Sequence, residues 1–276
     1  MDRQSLRLLV VVAHPHDFTH CSGTCGIHVS MGDSVTVVSM SAGVSTHNVR
    51  LARELARPPA ERDPAVMDMT SERLAAEKTE ELRRAAALFG IGDVRVLDFP
   101  DHPFFLHEHP EAIEQLREII FEVRPHVLIT QSPYTSRPHM GAPGLGSGAH
   151  NDHNDTAYAV LEARAQAQIP PFGSTVRPHK IAATYYLGVY FEQSQVDFTV
   201  DVSEWHEQRV QAEATYVSQG HTQAGARRTI EVTLGNAGRQ SGAMYAEPFV
   251  REGVELHPHL MVPDSVLRAA VIQKIC

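Results

Sequence analysis

The stretch Leu6 to Asp17, LRLLVVVAHPHD, decides how this chain folds. Leu6 to Ala13 is an apolar run rich in β-branched valine, the pattern of a central parallel strand covered on both faces rather than of a half-exposed one. Val35 to Met40 (VTVVSM) repeats the pattern after Gly32-Asp33, and Thr19 to Met31 has the length of a crossover helix, so the chain opens as a βαβ unit. Thr70 to Phe89 reads as a helix with a Thr/Ser entry and Gly90 as its stop, followed by a strand over Val94 to Phe99. Pro110 opens a helix whose Ile113, Leu116, Ile120 and Val123 fall at the helical period, and Val127 to Thr130 is the next strand. Further on the reading gives a helix over Asp155 to Gln168, strands over Ile181 to Leu187 and Phe198 to Val202, and a helix over Ser203 to Gln219. A strand over Glu231 to Leu234 and a terminal helix over Pro263 to Lys274 complete it. Ser41 to Met69 and the Gly- and Pro-rich Ser132 to Ala149 read as loops. The alternation predicts one α/β domain over residues 1–276, with a Rossmann-like, doubly wound, mostly parallel sheet and helices on both faces.

Composition narrows the function. In 276 residues, Lys and Arg number 24 against 33 Asp and Glu, a net charge of −9 that repels phosphate backbones and anionic lipid. Nucleic acid and membrane are therefore excluded as expected partners, a small-molecule substrate is favoured, and homo-oligomerisation is left open. The N-terminal apolar run is far short of the roughly 20 residues needed to cross a bilayer and ends in His14-Pro15-His16 rather than in a small-residue cleavage site, so a cytoplasmic protein is expected. Three cysteines make no disulfide framework, and Cys21 and Cys25 are expected as small core residues. The anomaly is 17 histidines, since imidazole is the commonest metal ligand and titrates near neutrality.

Two histidine clusters stand where an open α/β sheet binds ligands. His14-Pro15-His16-Asp17 falls at the carboxyl end of the first strand, and His150-Asn151-Asp152-His153 follows the Gly-rich loop and opens a helix. His14 and Asp17 are three apart across a turn begun by Pro15, and His150 and His153 share a helix face. Together His14, Asp17 and His153 make a His₂-carboxylate set, which with zinc leaves a position open for water, the layout of a catalytic site. Gly144-x-Gly146-x-Gly148 lies inside a loop rather than between a first strand and its helix, so it reads as a flexible lid and not as a dinucleotide fingerprint.

The strand ending in AHPHD, the following SGT, VTVVSM, Arg73-x-x-x-Glu77, AHNDH, the stretch Val200 to Gln219 and MYAEPF at Met244 to Phe249 resemble, in order, the PIG-L/LmbE superfamily of zinc-dependent deacetylases. The resemblance implies one Zn2+ per chain on His14, Asp17 and His153, with His150 polarising the carbonyl or protonating the leaving group. It implies removal of an N-acyl group, most simply acetyl, from a sugar or other small polar amide. Where the family has His-Pro-Asp-Asp-Glu, with the first Asp as general base, this chain has His16 and Phe18 at the altered positions, and Ser41 to Ser45 replaces an acidic segment. A neutral His16 imidazole can serve as the base, or can become a fourth metal ligand. Phe18 resembles the superfamily's hydratase branch, typified by 4-oxalomesaconate hydratase, which adds water to an unsaturated keto acid; Arg50, Arg53, Arg73 and Arg137 are the cations an anionic substrate would need. A non-catalytic metal-binding relative is the third alternative.

Overall fold

A computed structural model describes residues 4–46, 48–134, 152–169 and 172–257, with isolated positions beyond. The elements run β1 (Arg7–Val12), a 3-10 segment Pro15–Cys21, α1 (Ser22–Ser30), β2 (Ser34–Ser39), α2 (Val49–Leu55), α3 (Pro64–Met67), α4 (Ser71–Ala87), β3 (Asp93–Val96) and α5 (Glu111–Val123). There follow β4 (Val127–Thr130), α6 (Asp152–Gln168), β5 (Ala183–Leu187), β6 (Phe198–Asp201), α7 (His206–Thr215), α8 (Gln223–Ser241) and β7 (Ala246–Arg251).

One sheet carries all seven strands in the order β3-β2-β1-β4-β5-β7-β6. The first five positions are parallel, and β7 pairs antiparallel with both β5 and β6. This is the expected doubly wound α/β sheet. Its central strand shows why the opening run is apolar throughout: Leu8, Val10 and Val12 enter a core cluster with Phe18, Leu82 and Phe89, while Leu9 and Val11 enter another with Phe104, Leu116 and Val160. Alternate side chains thus feed two cores, and neither face reaches water. Cys21 and Cys25 are fully buried in the first cluster.

The chain leaves β1 toward β2 and β3 on one side and later returns through β4 on the other. The switch point of the sheet therefore lies between the carboxyl ends of β1 and β4, where such sheets bind ligands. There the Gln131 side chain accepts from the Ala13 N–H at 3.0 Å and donates to Asp17 Oδ2 at 2.8 Å, tying the two strand ends together.

Three readings need correction. Residues 231–234 are not a strand but the middle of α8, whose buried Ala226, Ile230, Leu234 and Gly238 recur every fourth residue, with Thr222 capping the start and Gly242 left-handed at the end. The β-branched Ile-Glu-Val-Thr run masked that period. β7 was not read as a strand because Pro248 sits in it, and proline is disfavoured in central strands. Ser41 to Met69 is not structureless: α2 and α3 form there, capped by the Asn48 and Asp63 side chains, and neither buries a residue that would have left a readable period. The terminal helix at Pro263 to Lys274 falls mainly outside the described residues. Among the described residues no helix is long and apolar enough to cross a membrane.

Candidate metal and catalytic site

The chain turns sharply out of β1 because Pro15 starts a 3-10 segment for which His14 is the cap. The Asp17 carboxylate folds back to accept the His14 backbone N–H at 2.9 Å. That local bond aims both side chains the same way. His14 Nδ1 lies 3.4 Å from Asp17 Oδ2. α6 then brings His153 across the switch point, with its Nε2 at 3.2 Å from His14 Nδ1 and 3.5 Å from Asp17 Oδ2.

Three donor atoms from residues up to 139 positions apart thus form a nearly equilateral triangle. Ligands at about 2.0–2.1 Å from one tetrahedral ion stand roughly 3.3 Å from each other, so the triangle fits zinc without rearrangement. The far nitrogen of His14, Nε2, is 2.8 Å from Asp152 Oδ2, which also accepts the His102 N–H at 3.2 Å. Asp152 clusters with His14 and His153. Its place on the far nitrogen makes it the carboxylate that fixes the His14 ring and leaves Nδ1 for the ion. Burial opposes a charge on His14, but the hydrogen bonds and charges of Asp152 and Asp17 prevail and hold its imidazole up to about 10. Burial likewise opposes ionisation of Asp152, yet the bond and charge of His14, with the His153 charge and the His102 N–H, together hold it down to about 2. Two buried carboxylates around two imidazoles are complemented by positive charge, which a divalent cation supplies better than one proton. Asp17 is oriented on its other side by the Tyr190 hydroxyl, which donates to Oδ1 at 3.2 Å.

His16 points elsewhere. Its Nε2 lies 3.0 Å from Oε1 of Glu213 on α7, and the His221 ring shares that carboxylate oxygen at 3.2 Å. The Tyr216 ring meets His16 edge-on at 5.1 Å between centroids. Burial would lower the His16 imidazole, but the charge and hydrogen bond of Glu213 together with the charge of Asp17 outweigh it, so its pKa is raised. Glu213 and Asp152 were both missed at the sequence level. Glu213 had left a signal: it falls on the buried stripe of α7 together with Arg209 and Val210, and charged residues on a buried face need a partner. His150 and Arg137 lie outside the described residues. Arg50 donates to Glu77 at 2.6 Å and is thereby engaged. Phe18 is fully buried against Phe89, a core residue rather than a group at the catalytic edge.

The segment that replaces the acidic stretch after β2 is clamped over His14. Gly43 has φ +70°, and a Cβ there would sit 3.3 Å from Pro15 Cδ and 3.6 Å from His14 Cβ. Buried Lys78 of α4 donates to the Gly43 carbonyl and, at 2.6 Å, to that of Thr46, while Asp101 accepts the Ser45 and Thr46 N–H groups at 2.9 Å. Burial pushes the Lys78 ammonium down from 10.5 to about 8. The unfolded chain therefore binds more protons between those values, so Lys78 costs stability below pH 8 and that cost fades as pH rises toward 10.5. Between pH 7.5 and 9.5 the wild type should gain about 2 kcal/mol over Lys78→Met in urea denaturation. Parallel pH profiles would show the lysine to be unshifted.

The family model described as PIG-L: GlcNAc-PI de-N-acetylase matches residues 9–164. The 1D-myo-inositol 2-acetamido-2-deoxy-alpha-D-glucopyranoside deacetylase of Streptomyces griseus is 30% identical over 202 residues, 67% of this chain and 56% of that protein. Diacetylchitobiose deacetylase of Thermococcus kodakarensis is 27% identical over 160 residues, 55% of this chain and 53% of that one. The chain thus spans just over half the length of these curated relatives. Among solved structures, the 4-carboxy-2-hydroxymuconate hydratase GalB of Pseudomonas putida superposes with a TM-score of 0.70 at 19% identity, covering 93% of this chain and 100% of that one. N,N'-diacetylchitobiose deacetylase from Pyrococcus horikoshii gives 0.70 at 19%, covering 90% and 84%.

Proposed function

The chain belongs to the PIG-L family, and from that premise we propose that it is a zinc-dependent N-deacetylase acting on an acetylated amino sugar or similar small polar amide. The observation that carries the reading is the triangle of His14 Nδ1, Asp17 Oδ2 and His153 Nε2 at 3.2–3.5 Å, set beside a carboxylate-backed imidazole at the sheet's switch point. The two curated relatives named above are deacetylases, which supports the same reading.

In this mechanism His14, Asp17 and His153 would hold one ion. When bound, zinc supplies Lewis acidity, lowering the pKa of water to about 7 and polarising an acyl oxygen. The protein does the rest. Asp152 and Tyr190 keep the donor side chains in place, and His16, with Glu213 behind it, takes the proton of the attacking water. The C–N bond breaks as the amine receives a proton, giving acetate and a free amine. By the family resemblance His150 is the group that delivers that proton or steadies the acyl oxygen.

His153→Ala should lose its zinc, measured by elemental analysis, and its acetate release from N-acetylglucosamine-type compounds should fall by at least about 10²-fold. Equal zinc in both proteins would overturn the ligand assignment. The hydratase alternative is separated by product: absorbance changes on unsaturated keto-dicarboxylates, with no acetate from the amide panel, would replace the deacetylase reading.

A further inference from the structure

A second set of donors gathers at His16. His16 Nε2 and His221 Nδ1 both approach Oε1 of Glu213, at 3.0 and 3.2 Å, and donor atoms of the three residues lie within 4.8 Å of one another. Three separate stretches of chain bring them together. His16 stands in the 3-10 segment after β1, Glu213 on the buried stripe of α7, and His221 just past Gly220. The left-handed backbone of Gly220, with φ +79°, turns the chain back so that the His221 N–H donates to the Tyr216 carbonyl at 3.3 Å. The Tyr216 ring stands edge-on to both imidazoles, and its hydroxyl donates to the Pro15 carbonyl at 2.9 Å, which fixes the group from within. Arg209, one turn before Glu213, would oppose a cation, but its guanidinium is already matched by Glu247 at 2.9 Å.

We propose that His16, Glu213 and His221 form a second divalent-cation site, separate from the triangle of His14, Asp17 and His153. Two imidazoles and one carboxylate suit zinc or another imidazole-preferring ion rather than calcium or magnesium, which take oxygen donors. Two edges of the set, 3.0 and 3.2 Å, are near the roughly 3.3 Å spacing of ligands on tetrahedral zinc. The third edge closes by a turn of the His221 ring, whose side chain is 24% exposed. A cleft of about 320 Å³ lined by His16, Thr19 and Glu213 is the entry path. Thr19 follows His16 by three residues, the eclipsed spacing of a 3-10 turn, and its buried hydroxyl has no hydrogen-bond partner among the described residues. The site fills after the triangle, because His221 Nδ1 must also leave the Glu213 carbonyl at 3.1 Å. An ion on Nε2 of His16 leaves the ring proton on Nδ1, so under the deacetylase reading a filled second site blocks the base; the binding itself does not rest on that reading.

The test is equilibrium dialysis of the untagged full chain against zinc, with bound metal measured by elemental analysis. The wild type should take up one equivalent and then a weaker second. His221→Ala leaves the first triangle untouched, so it should keep the first equivalent and bind the second at least about 10²-fold more weakly, no less than the loss of an outer partner costs a metal site. Glu213→Gln should do the same and serves if His221→Ala does not fold. His153→Ala should lose the tight equivalent and keep the weak one. Saturation of the wild type at one zinc, or a second equivalent unchanged in either His221→Ala or Glu213→Gln, overturns the proposal. Loss of both equivalents in His153→Ala overturns it as well, since the two would then be one centre. Acetate release assayed at one equivalent of zinc keeps the two readings apart. Release with no second equivalent removes this site and keeps the deacetylase, and a second equivalent without release does the reverse.

Discussion

Replacing His16 by alanine should lower kcat by about 10²–10⁴, the usual worth of a positioned base, while leaving zinc content intact. The metal is expected to stay because the donor triangle is made without His16, whose Nε2 faces Glu213 at 3.0 Å. Glu213 gives the experiment a second arm. Its carboxylate raises the His16 pKa against the effect of burial, and the base must be neutral to act, so the acid limb of the rate profile lies higher than Glu213-free chemistry would place it. Glu213→Gln keeps the shape and removes the charge. The acid limb should move to lower pH, with a smaller loss of kcat at the plateau than in His16→Ala. His16→Asp restores the family's residue and should retain activity with a more acidic limb still. Zinc lost from His16→Ala would make the residue a ligand, and full activity would make it a bystander; either ends its role as base.

What the sequence disclosed and what it hid follow one physical division. β1 was legible because a strand buried on both faces needs no partner in the sequence to be recognised: Leu8 to Val12 each feed one of two cores. His14 and Asp17 were legible because one local hydrogen bond, within three residues, aims them together. The His153 position followed from a second cluster at a loop–helix boundary. Asp152, one residue before it, was in plain sight, but nothing local says that its oxygen meets the far nitrogen of His14 across 138 positions. Glu213 shows the same limit from the other side. Its charge on the buried face of α7 told that a partner exists, and only the fold told that the partner is His16. Likewise α8 and β7 were misread because local propensity, a β-branched run in one and a proline in the other, was overridden by tertiary packing.

Glu247→Ala should be the most destabilising single change, costing about 3–5 kcal/mol. Glu247 is fully buried on β7, and its Oε1 lies 2.9 Å from Nε of Arg209, itself only 2% exposed. The same carboxylate accepts the N–H groups of Gly23 and Thr24 at 2.9 and 2.8 Å and the Thr24 hydroxyl at 2.6 Å, so it also caps the first turn of α1. Close approach is possible because residue 23 is glycine: a Cβ there would fall 3.1 Å from Oε1. Alanine at 247 leaves a guanidinium buried without its counter-charge and two helix donors unmet, against a total stability of about 5–15 kcal/mol for a folded domain. Urea denaturation measures the loss, and a change below about 1 kcal/mol would falsify the pairing. Removing both charges, as Arg209→Met with Glu247→Leu, should cost less than the two single changes added, because no lone charge remains. The effect should reach the catalytic side as well. Arg209 and Glu213 are one turn apart on α7, so the ion pair that fastens this helix to β7 and α1 also holds the carboxylate that positions His16. In Glu247→Ala that remains folded, the acid limb of the rate profile should therefore shift in the same direction as in Glu213→Gln, which simple loss of folded protein cannot produce.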